Sequence, residues 1–203
     1  MPGEPASARV PFVGLTGGIG AGKSEALAAL ERLGAAPLST DAVVHELLAT
    51  DEVRDLLVER LGPEVAPEGR VERGAVAERV FEDDEDRKWL EGVLWPRVGQ
   101  RMWEWREALD RRKSRPRAAV VEVPLLFESG LEQGFDATVA VVADETVRQE
   151  RAEARGHAGV ASRTARQLTQ DEKAERADWV VHNDGTIEEL EEKLSQLLAR
   201  INA

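Results

Sequence analysis

The chain has 203 residues, 42% apolar and 33% charged, which suffices for one sizeable core with room for an inserted region. Its 27 basic and 39 acidic residues leave a formal charge of −12, which argues against a nucleic-acid-binding surface, because neutralising many phosphates takes clustered Lys and Arg. The absence of cysteine excludes a disulfide framework, a thiolate metal site and a cysteine nucleophile, and suits a reducing cytoplasm.

Met1–Ala8, small and polar with two prolines, reads as a frayed tail with no signal peptide. Phe12-Val13-Gly14-Leu15 is a short apolar run suited to a buried parallel strand. A helix follows over Lys23–Leu33, with Gly34 as its stop, and Ala36–Ser39 reads as a second strand. From Asp41 the chain turns helical, over Asp41–Leu48, Glu52–Leu61, Glu72–Phe81 and Glu85–Arg111, the last with a bend or break expected at Pro96. Ala118–Val123 and Thr138–Ala143 are the clearest further strands. A helix at Glu145–Arg155 leads into the Gly- and Ser-bearing stretch Gly156–Ser162. Trp179–Val181 reads as a last strand and Thr186–Ile201 as an amphipathic helix with a capping-box start. Alternating strands and helices predict an α/β sheet with parallel pairing, interrupted by a helical insertion. No apolar run approaches the roughly 20 residues that cross a bilayer.

Gly17-x-x-x-x-Gly22-Lys23-Ser24 fits the Walker A pattern between a predicted strand and a predicted helix. Glycines let the backbone approach phosphates, and the N–H groups of Gly18, Gly20, Ala21, Gly22 and Glu25 are candidates to cradle them at the positive end of a helix. Lys23 supplies a point charge for the β- and γ-phosphates, and Ser24 a hydroxyl for Mg²⁺. Glu25 fits there through its backbone, with its carboxylate turned to solvent. These residues predict the binding of a nucleoside triphosphate.

The sequence lacks the D-x-x-G step and the guanine box of a GTPase, and it is short for a nucleic-acid motor. A small-molecule kinase needs a base beside the acceptor hydroxyl and cations over the transferred phosphoryl group. Asp41, just past the second strand, is the candidate base, though a helix-capping acid would look the same. Arg148, Arg151 and Arg155 share one helical face, as lid cations would; a solvated face paired with Glu150 and Glu153 has the same pattern. A different metabolite kinase of the same fold, or a non-catalytic nucleotide-binding regulator, remains open from these residues alone.

The run Val13–Ser24 is very similar to the opening of dephospho-CoA kinases, and so is Val123-Pro124-Leu125-Leu126-Phe127-Glu128-Ser129-Gly130. Gln167, Glu172-Lys173, Ala177-Asp178 and Val181–Gly185 also resemble that family. The resemblance implies ATP- and Mg²⁺-dependent phosphorylation of the ribose 3′-hydroxyl of dephospho-CoA, the last step of coenzyme A synthesis. It implies a P-loop kinase domain over 9–203, with a nucleotide core over 9–48 and 117–203, a helical substrate region over 49–116 and a lid over 145–165. It assigns catalysis to Asp41, Lys23, Arg151 and Arg155, with a further arginine at Arg163, and sets Asn183 near the adenine. His45, Arg79, Trp95, Pro124, Leu125 and Phe127 fall on the acceptor side. Dephospho-CoA is the implied partner, with no nucleic acid or membrane, and the chain is expected as a monomer or weak homo-oligomer. Three positions depart from the family's habit. Ser39 stands where a second acid is usual, His45 where an arginine is usual, and Trp95 where a histidine precedes Pro96. Arg148 stands where a glutamine is more usual.

Overall fold

The computed structural model describes residues 9–154 and 167–203. The chain forms two compact units: one joins Met1–Ser39 with Arg106–Ala203, and the other is Thr40–Trp105.

The first unit is built on five parallel strands: β1 (Phe12–Gly17), β2 (Ala36–Ser39), β3 (Ala119–Glu122), β4 (Ala137–Val142) and β5 (Trp179–His182), ordered β2-β3-β1-β4-β5. β1 pairs in parallel with β3 and β4, Leu15 standing opposite Glu122 on one side and Val139 on the other. The three central strands are almost wholly buried, while edge strands β2 and β5 are partly open. Their unbroken apolar runs are what a parallel sheet covered on both faces requires. After β1 the chain moves to one side of the sheet, and after β3 it crosses to the other. The loops at the carboxyl ends of these strands therefore diverge and leave a crevice for a ligand.

Side chains alternate along β1, so its two faces serve different layers. Val13 and Leu15 join Val120, Val139 and Val141 beneath helices α1 (Lys23–Arg32) and α8 (Ile187–Ile201), which contribute Ala26, Ala29, Leu30, Leu190, Leu194 and Leu198. Thr186 caps α8 and exchanges hydrogen bonds with Glu189, the predicted capping box. Phe12, Gly14 and Thr16 face the other way. There Phe12 stacks on Phe135 at 4.5 Å, and Arg106 lies over the Phe12 ring at 4.6 Å and pairs with Asp136 at 2.9 Å. A Cβ on Gly14 would press on Phe135 and Leu126, so this strand position stays bare to admit both.

Two further helices belong to this unit: α6 (Glu145–Ala154) and α7 (Gln170–Arg176). The sequence reading did not expect α7, because Gln170-Asp171-Glu172-Lys173-Ala174-Glu175-Arg176 carries no apolar periodicity. Its signal is instead the capping box at Thr169 and Glu172.

The second unit contains α2 (Thr40–Leu48), α3 (Asp51–Leu61), α4 (Arg73–Glu82) and α5 (Asp84–Asp110) as far as Trp105. Val43, Leu47, Leu48, Val53, Leu57, Leu61, Val65, Ala66, Val76, Leu94, Val98 and Met102 are its buried apolar residues. Thr50 links α2 to α3: its hydroxyl donates to the Leu47 carbonyl at 2.7 Å and accepts from the Val53 N–H. Of the bend or break expected at Pro96, the break does not occur, since α5 runs on through it. Proline removes one donor from the helix ladder, but Leu94 and Val98 on either side are buried, and burial on both sides outweighs the local cost.

Candidate active site

Between β1 and α1, Gly18–Gly22 turns at the carboxyl edge of the sheet. Gly20 (φ 79°) and Gly22 (φ 90°) take left-handed backbone angles. A Cβ on Gly20 would strike the backbone carbonyl of Arg148, and one on Gly22 the side-chain amide of Asn183. The loop is a cradle whose wall approaches too closely for any other residue type. Gly22 caps α1 without a side-chain bond, which leaves the first N–H groups of α1 for an anion, with the helix dipole behind them. The Lys23 ammonium donates to the carbonyls of Gly17 and Gly18, both at 3.1 Å, and so curls over the loop. Ser24 is exposed, and the Glu25 carboxylate reaches away from the loop to Arg32 at 3.5 Å. A backbone cradle with a lysine suits the triphosphate of ATP. Among the described residues no group of three or more His, Asp or Glu could hold a metal ion by itself. The exposed Ser24 hydroxyl at the helix start is an oxygen of the kind that suits Mg²⁺.

Two side chains from distant parts of the chain hold the loop, and a third braces one of them. Asn183, buried just past β5, donates through Nδ2 to the Ala21 carbonyl at 2.9 Å, while its backbone carbonyl accepts from Arg151 at 2.9 Å. Arg148 donates through Nε to the Ile19 carbonyl at 3.0 Å and pairs with Glu145 at 2.7 Å. Two arginines of α6 thus stand at the phosphate loop. Arg155, Arg163 and the Gly156–Ser162 stretch lie outside the described residues.

Behind the loop, Pro124 follows β3. Pro124 and Leu125 are half-buried, whereas Leu126 and Phe127 are buried, and Leu126 sits over Gly14. The fully buried Lys173 of α7 ties this block together. Its ammonium pairs with Glu128 at 3.1 Å, donates to the Pro124 carbonyl and comes within 3.5 Å of the Thr16 hydroxyl, one residue before the loop's first glycine. Glu128 also accepts from the Leu168 N–H at 2.8 Å. Burial pushes the Lys173 amine below the ordinary lysine range, and the bond and charge of Glu128 oppose that shift. The sequence reading assigned Lys173 no role, because a lysine in a polar helix looks solvated.

The remaining candidates belong to the second unit. Asp41 is exposed in the first turn of α2, two residues beyond the end of β2. His45 lies one turn further along α2, with its Nδ1 3.4 Å from the Arg73 guanidinium. Arg79 is exposed on α4, and Trp95 is 45% exposed on α5.

The profile of the dephospho-CoA kinase family matches residues 11–189. The chain belongs to the dephospho-CoA kinase family. A dephospho-CoA kinase of Protochlamydia amoebophila is 37% identical over 190 residues, covering 91% of this chain and 93% of that protein. One of Deinococcus radiodurans is 38% identical over 192 residues, covering 93% and 91%. A Thermus thermophilus protein of known crystal structure superposes with a TM-score of 0.78 at 35% identity, covering 97% of this chain and all of that one. As a dephospho-CoA kinase, the chain transfers a phosphoryl group from ATP to the 3′-hydroxyl of dephospho-CoA, the final step of coenzyme A synthesis. The phosphate loop has the form that the donor half of that chemistry requires.

Proposed function

We propose that Asp41 accepts the proton of the 3′-hydroxyl of dephospho-CoA, and that Lys23 with Arg151 and Arg155 stabilises the phosphoryl group in transit. The 3′-oxygen bonds to the γ-phosphorus as the bond to the β,γ-bridging oxygen breaks. ADP leaves with that electron pair, and the hydroxyl proton passes to the Asp41 carboxylate. The observation that carries the donor side is the glycine cradle, in which Gly20 and Gly22 stand against Arg148 and Asn183. For the acceptor side, support comes from connectivity: β2 ends at Ser39, level with Glu122 of β3, and Asp41 is the second residue beyond it. Mg²⁺ held by Ser24 would neutralise charge on the β- and γ-phosphates. Arg151 would exchange its bond to the Asn183 carbonyl for phosphoryl oxygens. Ala21, Gly18 and Glu25 contribute backbone N–H groups, and His45, Arg79, Trp95, Pro124, Leu125 and Phe127 contact the acceptor. The same reading takes the enzyme as cytoplasmic, as a monomer or weak homo-oligomer, and without nucleic-acid or membrane partners. Its charge of −12 supports this, and among the described residues no helix is long and apolar enough to cross a membrane.

Asp41→Ala tests the assignment. Turnover should fall by about 100-fold or more, while ATP affinity stays within about twofold of wild type. Turnover within a few-fold of wild type would remove Asp41 from the role of base.

A further inference from the structure

The second unit contains a cavity of about 300 Å³ between the end of α2, α3 and the turn that enters α4, lined by His45, Arg54, Gly69, Arg70 and Arg73 among others. No carboxylate lines it. Arg54 is already held by Asp51 at 2.6 Å and Asp55 at 2.7 Å, and so serves as a wall. The other cations are not neutralised in this way. The Arg70 guanidinium makes no ion pair or hydrogen bond among the described residues. Arg73 has the imidazole of His45 at 3.4 Å. If Arg73 donates to Nδ1, the imidazole proton sits on Nε2, and both arginines and the imidazole offer donors to the cavity. The backbone is also shaped here. Glu68 (φ 55°) is the one non-glycine residue in the left-handed region among the described residues, and Gly69 (φ 75°) follows it. Two consecutive left-handed residues turn the chain into Arg70, an unfavourable conformation for glutamate that needs a reason.

A cavity lined by these two arginines and a histidine, with no carboxylate among its lining residues, fits phosphate oxygens. The spacing along α2 says which phosphates. Asp41 and His45, four residues apart, share one helix face with a rise of about 6 Å between them. In dephospho-CoA five bonds separate the 3′-oxygen from the 5′-phosphorus, a reach of about 6 Å at bond lengths near 1.5 Å. We propose that the His45–Arg70–Arg73 pocket binds the 5′-diphosphate bridge of the acceptor and so selects nucleosides carrying one. The inference rests on Asp41 being the residue that meets the 3′-hydroxyl.

The test measures acceptor binding by calorimetry, with the phosphate loop filled by a non-hydrolysable ATP analogue. In the Arg70→Ala/Arg73→Ala double variant the dissociation constant for dephospho-CoA should rise by about 30-fold or more, whereas that for adenosine, which lacks the diphosphate, should move by less than about threefold. His45→Arg, which adds a permanent cation, should tighten dephospho-CoA binding several-fold. Unfolding midpoints equal to wild type would show that these exposed substitutions leave the fold intact. Equal losses for both ligands, or no loss for dephospho-CoA, would overturn the proposal. Failure of the base assignment is separable. If Asp41→Ala keeps its turnover while the double variant loses dephospho-CoA selectively, the pocket stands and the base does not.

Discussion

Asn183 ties the phosphate loop to the far end of the sheet through a single amide. Its Nδ2 satisfies the Ala21 carbonyl inside the phosphate loop, from a position 162 residues away in sequence. A buried carbonyl left without its donor costs about 1–3 kcal/mol. In Asn183→Ala the loop would relax to recover a partner, moving the N–H groups that face the phosphates. The KM for ATP should therefore rise about tenfold while the KM for dephospho-CoA changes little. Steady-state titration of each substrate checks this, and an unchanged KM for ATP would show that the loop holds its shape alone. Such a role has no local signature. The Walker A run was legible because its chemistry is written in eight adjacent residues, whereas the contacts of Asn183 and Arg148 with the loop are made only once the sheet is assembled. The Asp41 candidacy was legible in part, since its position after β2 could be read from the chain but a capping acid has the same spacing.

At the scale of elements, five strands could be read directly because parallel strands buried on both faces are short apolar runs set between helical stretches. Helix α7 could not, since its one inward residue is Lys173, a side chain that pattern reasoning assigns to solvent. Yet this lysine joins α7 to the chain after β3 and to Thr16 beside the loop. Lys173→Met removes one partner of a buried pair and leaves Glu128, 13% exposed, without its counter-charge; the expected loss is about 3–5 kcal/mol. Adding Glu128→Gln, which keeps an oxygen for the Leu168 N–H, should recover part of that loss. The pH dependence carries a definite sign. With the amine below its ordinary value in the folded state, the unfolded chain binds more protons between that value and about 10.4. Wild-type stability should therefore increase relative to Lys173→Met as pH rises through that window. Urea midpoints of both proteins across alkaline pH measure it, and a wild-type advantage that shrinks with pH would mean that the Glu128 charge outweighs burial. No break appears at Pro96 for the complementary reason: a local breaker rule lost to a helix fixed by the burial of Leu94 and Val98.

For the whole molecule, a charge of −12 argues against a nucleic-acid surface but not against a phosphate ligand, which local N–H groups and one lysine can hold whatever the global charge. The sheet unit contains the glycine cradle, and the helical unit carries Asp41 and His45 on α2, just past the end of β2, and Arg73 at the start of α4. The most direct measurement of the account follows the purified protein with ATP, Mg²⁺ and dephospho-CoA, scoring ADP and the position of the new phosphate together. The expected result is one 3′-phosphorylated coenzyme per ADP, abolished by Lys23→Ala. ADP released without dephospho-CoA, or a phosphate placed on another hydroxyl, would contradict it.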